Sequence, residues 1–404
     1  MASGLIPRIG LGVVGIALAA LAVSVNLGFQ KLSDDDPEAA VGFMPWGAAA
    51  NAGAAEDALK AQQYDAANFY AARSLDRTLL NVKALRTLAL AHAGRNPNDG
   101  IVGPGMMLAG QLGWRDTPTQ YWLMIAALQA ANYPAAMQRA DALMRRDQGT
   151  DQVLAILRQL ANDPDGLHAI LDTLETQPNW RQALFQIGAT PLSAPEASGM
   201  EAIVNALQKT TTPPSRHELW YYLDGLMRAR DYDRAYRVWQ TSLKGHATGW
   251  PYDPHFTAAA VLASQIAGPN ADQMPFEWNF KTDQASMPHF GPKGTVILDG
   301  NYDLIANFLY QTMHLAPGAH RLAINVSGRK DQLDTLQWKL VCLPARKQRL
   351  GMPIMTPAPG ATLVNFDFTI PTDDCAYQQL SLTISPPVES GDTSLTINSV
   401  AIAG

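Results

Sequence analysis

The residues of this sequence best suited to recognition chemistry are aromatic rings with short polar side chains beside them. Tyr302 stands in "DGNYD", flanked by Asp299, Asn301 and Asp303, and the same C-terminal third holds Trp278, Phe308, Tyr310, Trp338 and Tyr377. A pyranose offers a face of C–H groups that packs on a π-face, while planar carboxylates and amides take its hydroxyls. The mixture therefore points to saccharide, with Tyr302, Asn301, Asp303, Tyr310 and Trp278 as candidate ligand-binding residues. Asp299-Gly300-Asn301 reads equally well as a turn. Trp338 alternates inward and belongs to the core, and the basic loop Arg346, Lys347, Arg349 reads as solvated.

Chemistry of other kinds finds no residues to carry it. The eight histidines make no HExxH or other ligand pair at helical spacing, and no GxSxG, P-loop or GxGxxG occurs, so no enzyme, no metal and no cofactor is expected. The net charge of -6 and the lack of a basic stripe argue against nucleic acid. Cys342 and Cys375 are the only cysteines, with no CxxC, and suit one structural disulfide on the oxidising side of a membrane.

These residues sit among alternating apolar runs: Phe276–Phe280, Thr295–Leu298, Leu304–Leu315, Leu322–Val326, Leu336–Cys342, Leu363–Ile370, Leu380–Ile384 and Leu395–Ile402. Such short strands separated by turns predict a β-sandwich or jelly roll. Pro317-Gly318 predicts the turn of a hairpin between the third and fourth runs. Trp338, Leu340 and Cys342 share a face, which aims Cys342 at the core, and the change of phase between Ile397 and Val400 predicts a bulge near Ser399. "FLYQTMHLAPGAHRLAINVSG", "FDFTIP" and "TSLTINSVAIAG" resemble the galactose-binding-like jelly rolls of carbohydrate-binding modules over residues 275–404. That resemblance implies a sugar-contacting domain.

Upstream, residues 52–268 are rich in Ala, Leu, Gln and Arg at helical spacing. Aligning Tyr64, Tyr133 and Tyr232 brings Ala67, Ala136 and Ala235 into register three residues on, and the tyrosines lie 69 and 99 residues apart. This pattern of helix, Tyr turn and helix resembles the tetratricopeptide repeat, in an irregular α-solenoid whose concave side would hold a protein partner. Ser215-Arg-His-Glu218 has the form of a capping box and predicts a helix start.

Ile9 to Phe29 is uncharged and, at about 1.5 Å per residue, long enough for the roughly 30 Å of a bilayer core. Arg8 before it and the acidic run after Lys31 favour an uncleaved transmembrane anchor with the N-terminus inside; a signal peptide cut after Ala22-Val23-Ser24 is the competing reading. The expected organisation is thus an anchor over 1–31, a linker over 32–51, tetratricopeptide-like helices over 52–268 and a sandwich over 269–404. Alanine richness suggests a bacterial genome, placing the protein in the inner membrane with its C-terminal bulk in the periplasm. The combination resembles accessory proteins of bacterial exopolysaccharide synthesis, implying polysaccharide and an envelope protein as partners. A protein-binding scaffold with no sugar ligand is the alternative.

Overall fold

The computed structural model describes residues 5–188, 191–242, 249–265, 273–281, 289–291, 294–299, 305–328, 333, 336–344, 363–384 and 394–404. Among them are fifteen helices: α1 Leu5–Ser33, α2 Pro37–Phe43, α3 Ala48–Lys60, α4 Tyr64–Leu75, α5 Val82–Arg95, α6 Val102–Leu112, α7 Thr117–Gln129, α8 Tyr133–Met144, α9 Thr150–Leu160, α10 Pro164–Leu174, α11 Arg181–Phe185, α12 Ala194–Leu207, α13 Arg216–Ala229, α14 Tyr232–Ser242 and α15 Thr257–Gln265. Nine strands follow: β1 Asn279–Phe280, β2 His289–Phe290, β3 Val296–Asp299, β4 Ile305–Met313, β5 Gly318–Ser327, β6 Gln337–Leu343, β7 Leu363–Ile370, β8 Tyr377–Ile384 and β9 Ser394–Ala403. The protein is a multidomain chain of helices and antiparallel sheets, in two compact units: residues 1–154 with 168–173, and residues 155–167 with 174–404.

In the first unit the aligned tyrosines do what the sequence asks of them. Tyr64 opens α4 and Tyr133 opens α8, each following a helix that ends four residues earlier. Ala67 and Ala136 are buried, which is why a small residue is needed where paired helices meet. The Tyr64 ring lies so close to Gly94 of α5 that a Cβ there would have no room. Arg86, buried on α5, ties three elements together through ion pairs with Glu56 of α3 at 2.9 Å and with Asp116, the N-cap of α7, at 3.1 Å.

The spanning segment expected over Ile9–Phe29 lies within α1, but no helix among the described residues is long and apolar enough to cross a membrane. The side chains of α1 from Leu18 onward include polar groups. Ser24 donates to Phe43 O at 2.7 Å, and Asn26 donates back to Ala22 O at 2.8 Å. Leu18, Leu21, Val23 and Phe29 remain exposed.

The second unit holds both helices and the sandwich. Ser215 and Glu218 form the expected capping box, the Ser215 hydroxyl accepting from Glu218 N at 3.1 Å and the Glu218 carboxylate from Ser215 N at 2.8 Å. Tyr232 opens α14 with Ala235 fully buried behind it, repeating the pattern of α4 and α8. One sheet has the order β1-β4-β8-β6 and the other β2-β3-β9-β5-β7, all pairs antiparallel. Leu309, Trp338, Leu340 and Leu382 of the first sheet pack against Leu322, Ile324 and Val400 of the second in one core. Cys342 and Cys375 are joined in a disulfide and buried, as their placement in the sequence implied.

Two strand expectations differ from the structure. The runs either side of Pro317-Gly318 do not form a hairpin ladder: β4 pairs with β1 and β8, while β5 pairs with β7 and β9. Alternation tells which face of a strand is apolar but not which strand lies beside it, and two strands facing one core from opposite sheets alternate alike. Gly318, at φ 136°, carries the chain from one sheet to the other. The two-residue β2 was not foreseen, being too short to show a period. The bulge, by contrast, is where the phase change put it: Asn325 faces Ser399 but Val326 faces Ile397, leaving Asn398 as the extra residue.

Candidate functional site

The outward face of the four-stranded sheet follows from strand register. Leu309, Leu380 and Leu382 point into the sandwich, so the intervening residues Tyr310, Thr312, Gln379 and Ser381 point away from it. Asn279 of β1 lies opposite Tyr310 and so joins that row, and Thr312 lies opposite Gln379. Helix α13 meets this face with a stripe of its own, Trp220, Asp224 and Met227, spaced at i, i+4 and i+7. The stripe, with Tyr310, Thr312, Gln379 and Asn279 of that row, lines a groove of about 430 Å³.

Within it the half-buried rings of Trp220 and Tyr310 supply π-faces, while Asp224, Gln379 and Asn279 supply planar polar groups. Asn279 is fixed in place, its amide donating to Met274 O at 2.8 Å and to Glu277 O at 2.7 Å. Asp224 is steadied by Arg228 one turn on, at 2.9 Å. Burial pushes the Tyr310 hydroxyl above the ordinary tyrosine range, and the Asp224 carboxylate adds to the effect, so Tyr310 stays a neutral hydroxyl at pH 7. Lys281 stands among the lining residues as the cation.

Of the residues singled out in the sequence, Tyr310 reaches this groove and Trp278 does not. Trp278 is 3 % exposed and packs on Phe256, its indole N–H donating to Asp253 O at 2.9 Å. Tyr302, Asn301 and Asp303 lie outside the described residues, as do Arg346, Lys347 and Arg349. Trp338 is a core residue, as its alternation required. Sequence reasoning missed Trp220, Asp224 and Gln379 as partners of Tyr310. The only available signal was the helical spacing of Trp220, Asp224 and Met227, which does not say what the stripe faces. Among the described residues, no group of three His, Cys, Asp or Glu side chains converges as metal ligands would.

No protein-family model matches the chain, and no curated protein matches it. Among solved structures, one of accessory secretory proteins 1, 2 and 3 in Streptococcus pneumoniae matches 30% of this chain and 85% of its own, at 13% identity and TM-score 0.21. A CBM4 structure matches 34% of this chain and 90% of its own, at 13% identity and TM-score 0.23. At such scores neither likeness carries an argument about fold or function.

Proposed function

We propose that this protein is a non-catalytic component of a bacterial cell envelope that contacts saccharide through the outward face of its four-stranded sheet. In this reading the bulk of the chain lies in the periplasm, the tetratricopeptide-like helices hold a protein partner, and the assembly serves synthesis or export of an exopolysaccharide. The observation that carries the saccharide contact is the groove itself: one aromatic ring from the helix, Trp220, and one from the sheet, Tyr310, with the amides of Asn279 and Gln379 and the Asp224 carboxylate lining the same groove. A sugar ring needs that combination, since its C–H face is apolar while its rim is a belt of hydroxyls.

A glycan array probed with the full-length chain in detergent tests the reading. Binding confined to a set of envelope-type polysaccharides is the expected result. Retention of co-purifying envelope proteins with no glycan bound would favour the scaffold alternative instead.

A further inference from the structure

A larger cavity, of about 1030 Å³, is lined by the connections after β4, after β6 and between β7 and β8, and by the start of α14. Its walls include Arg230 in the turn between α13 and α14, Tyr232 and Asp233 in the first turn of α14, His314 after β4, Asp374, and Tyr377. The rings are grouped, with Tyr377 to His314 at 4.9 Å and Tyr232 to Tyr377 at 5.7 Å between centroids. Tyr377 is held by its hydroxyl, which donates to Asp233 Oδ1 at 2.8 Å. His314 Nδ1 lies 2.8 Å from Ala376 O; a carbonyl only accepts, so that nitrogen carries the proton and Nε2 is left as the acceptor of the neutral ring.

The balance of charge on these walls is negative. Asp231 also lines the cavity but is tied to Arg234, whose Nε reaches its Oδ2 at 2.9 Å. The neighbouring Arg237 is engaged by Glu201 at 3.3 Å. Among the lining residues Arg230 is the one cation beside the two exposed carboxylates Asp233 and Asp374, and Arg237, though bound to Glu201, also exerts a coulombic pull on Asp233. Carboxylates, an imidazole acceptor and ring faces all attract a donor-rich cation, and ring faces attract an ammonium most directly.

We infer that this cavity takes a pyranose bearing a free ammonium group, as in a de-N-acetylated amino-sugar polymer, with the amine at Asp233 and Asp374 and the ring against Tyr232. The inference rests on the saccharide reading given above and narrows its ligand. Arg230 and His314 then serve the sugar hydroxyls, one as donor and the other as acceptor.

Titration calorimetry on the full-length chain, with glucosamine pentasaccharide and its fully N-acetylated counterpart as the two probes, tests the inference. The free-amine form should bind about tenfold more tightly. Asp233→Asn, which keeps an acceptor for the Tyr377 hydroxyl, and Asp374→Asn should each cut that preference about threefold to fivefold, the range for partly exposed charge pairs, with unchanged melting temperature. Equal affinity for the two probes, or a preference indifferent to both substitutions, would overturn the inference. If neither probe binds while other glycans do, the inference falls and the saccharide reading stands; if no glycan binds, both fall.

Discussion

Arg181 is a buried cation, 6 % exposed, and its surroundings show how the second unit holds such a charge. Its guanidinium grips the Glu218 carboxylate through Nε at 2.9 Å and Nη2 at 3.2 Å. Further bonds run to the carbonyls of Leu174 at 3.1 Å, Thr212 at 3.0 Å and Pro213 at 3.2 Å. Breaking one half of a buried pair leaves an uncompensated charge, whereas replacing both halves by apolar side chains restores part of the loss. Glu218→Ala should therefore lower stability by about 3–5 kcal/mol in urea unfolding, and Arg181→Met combined with Glu218→Leu should lower it less. A double variant as unstable as the single one would refute this account of the pair. The capping half of Glu218 was legible in the sequence because a cap is local. Its partnership with Arg181, 37 positions away, was not. The same holds for the groove, where Tyr310 could be named from its type but Trp220 could be joined to it only by the fold.

Elements were most legible where a local rule decides them. The three tyrosines open helices because the turn and the small residue behind it are specified within a few positions. Each of the eight expected sandwich runs contains or overlaps an observed strand, since the apolar period is local too. Pairing was not legible, and the supposed hairpin at Pro317-Gly318 is the instance. The disulfide is intermediate, for two cysteines in one sandwich leave a single pairing but no information on its energetic weight. It closes a span of 33 residues between β6 and the start of β8, and the chain-entropy model credits such a loop with about 3–4 kcal/mol. Reduced protein, or the Cys342→Ser and Cys375→Ser double variant, should unfold at correspondingly lower denaturant concentration than oxidised protein. Coincident unfolding curves would show that the bond contributes nothing to folding stability.

At the scale of the whole molecule, one compact unit contains both the sandwich and the helices that complete its groove. Helix α14 lays Tyr236 and Trp239 on Phe276, at 5.4 Å in each case between centroids, and Gln311 of β4 clamps the backbone of Tyr252 with bonds of 2.7 and 3.0 Å. The proposed sugar site therefore belongs to helix and sheet together, and an isolated run of strands would lack the Trp220 wall. The most direct test is the affinity of the full-length Tyr310→Ala variant for a polysaccharide that the parent protein binds, read beside its melting temperature. Loss of a central aromatic at a binding site typically costs about 2 kcal/mol or more, so affinity should fall roughly tenfold or beyond while the melting temperature moves by a few degrees at most. Unchanged affinity in a folded Tyr310→Ala protein would contradict the account, as would a loss that only follows unfolding and is absent from Trp220→Ala on the helix.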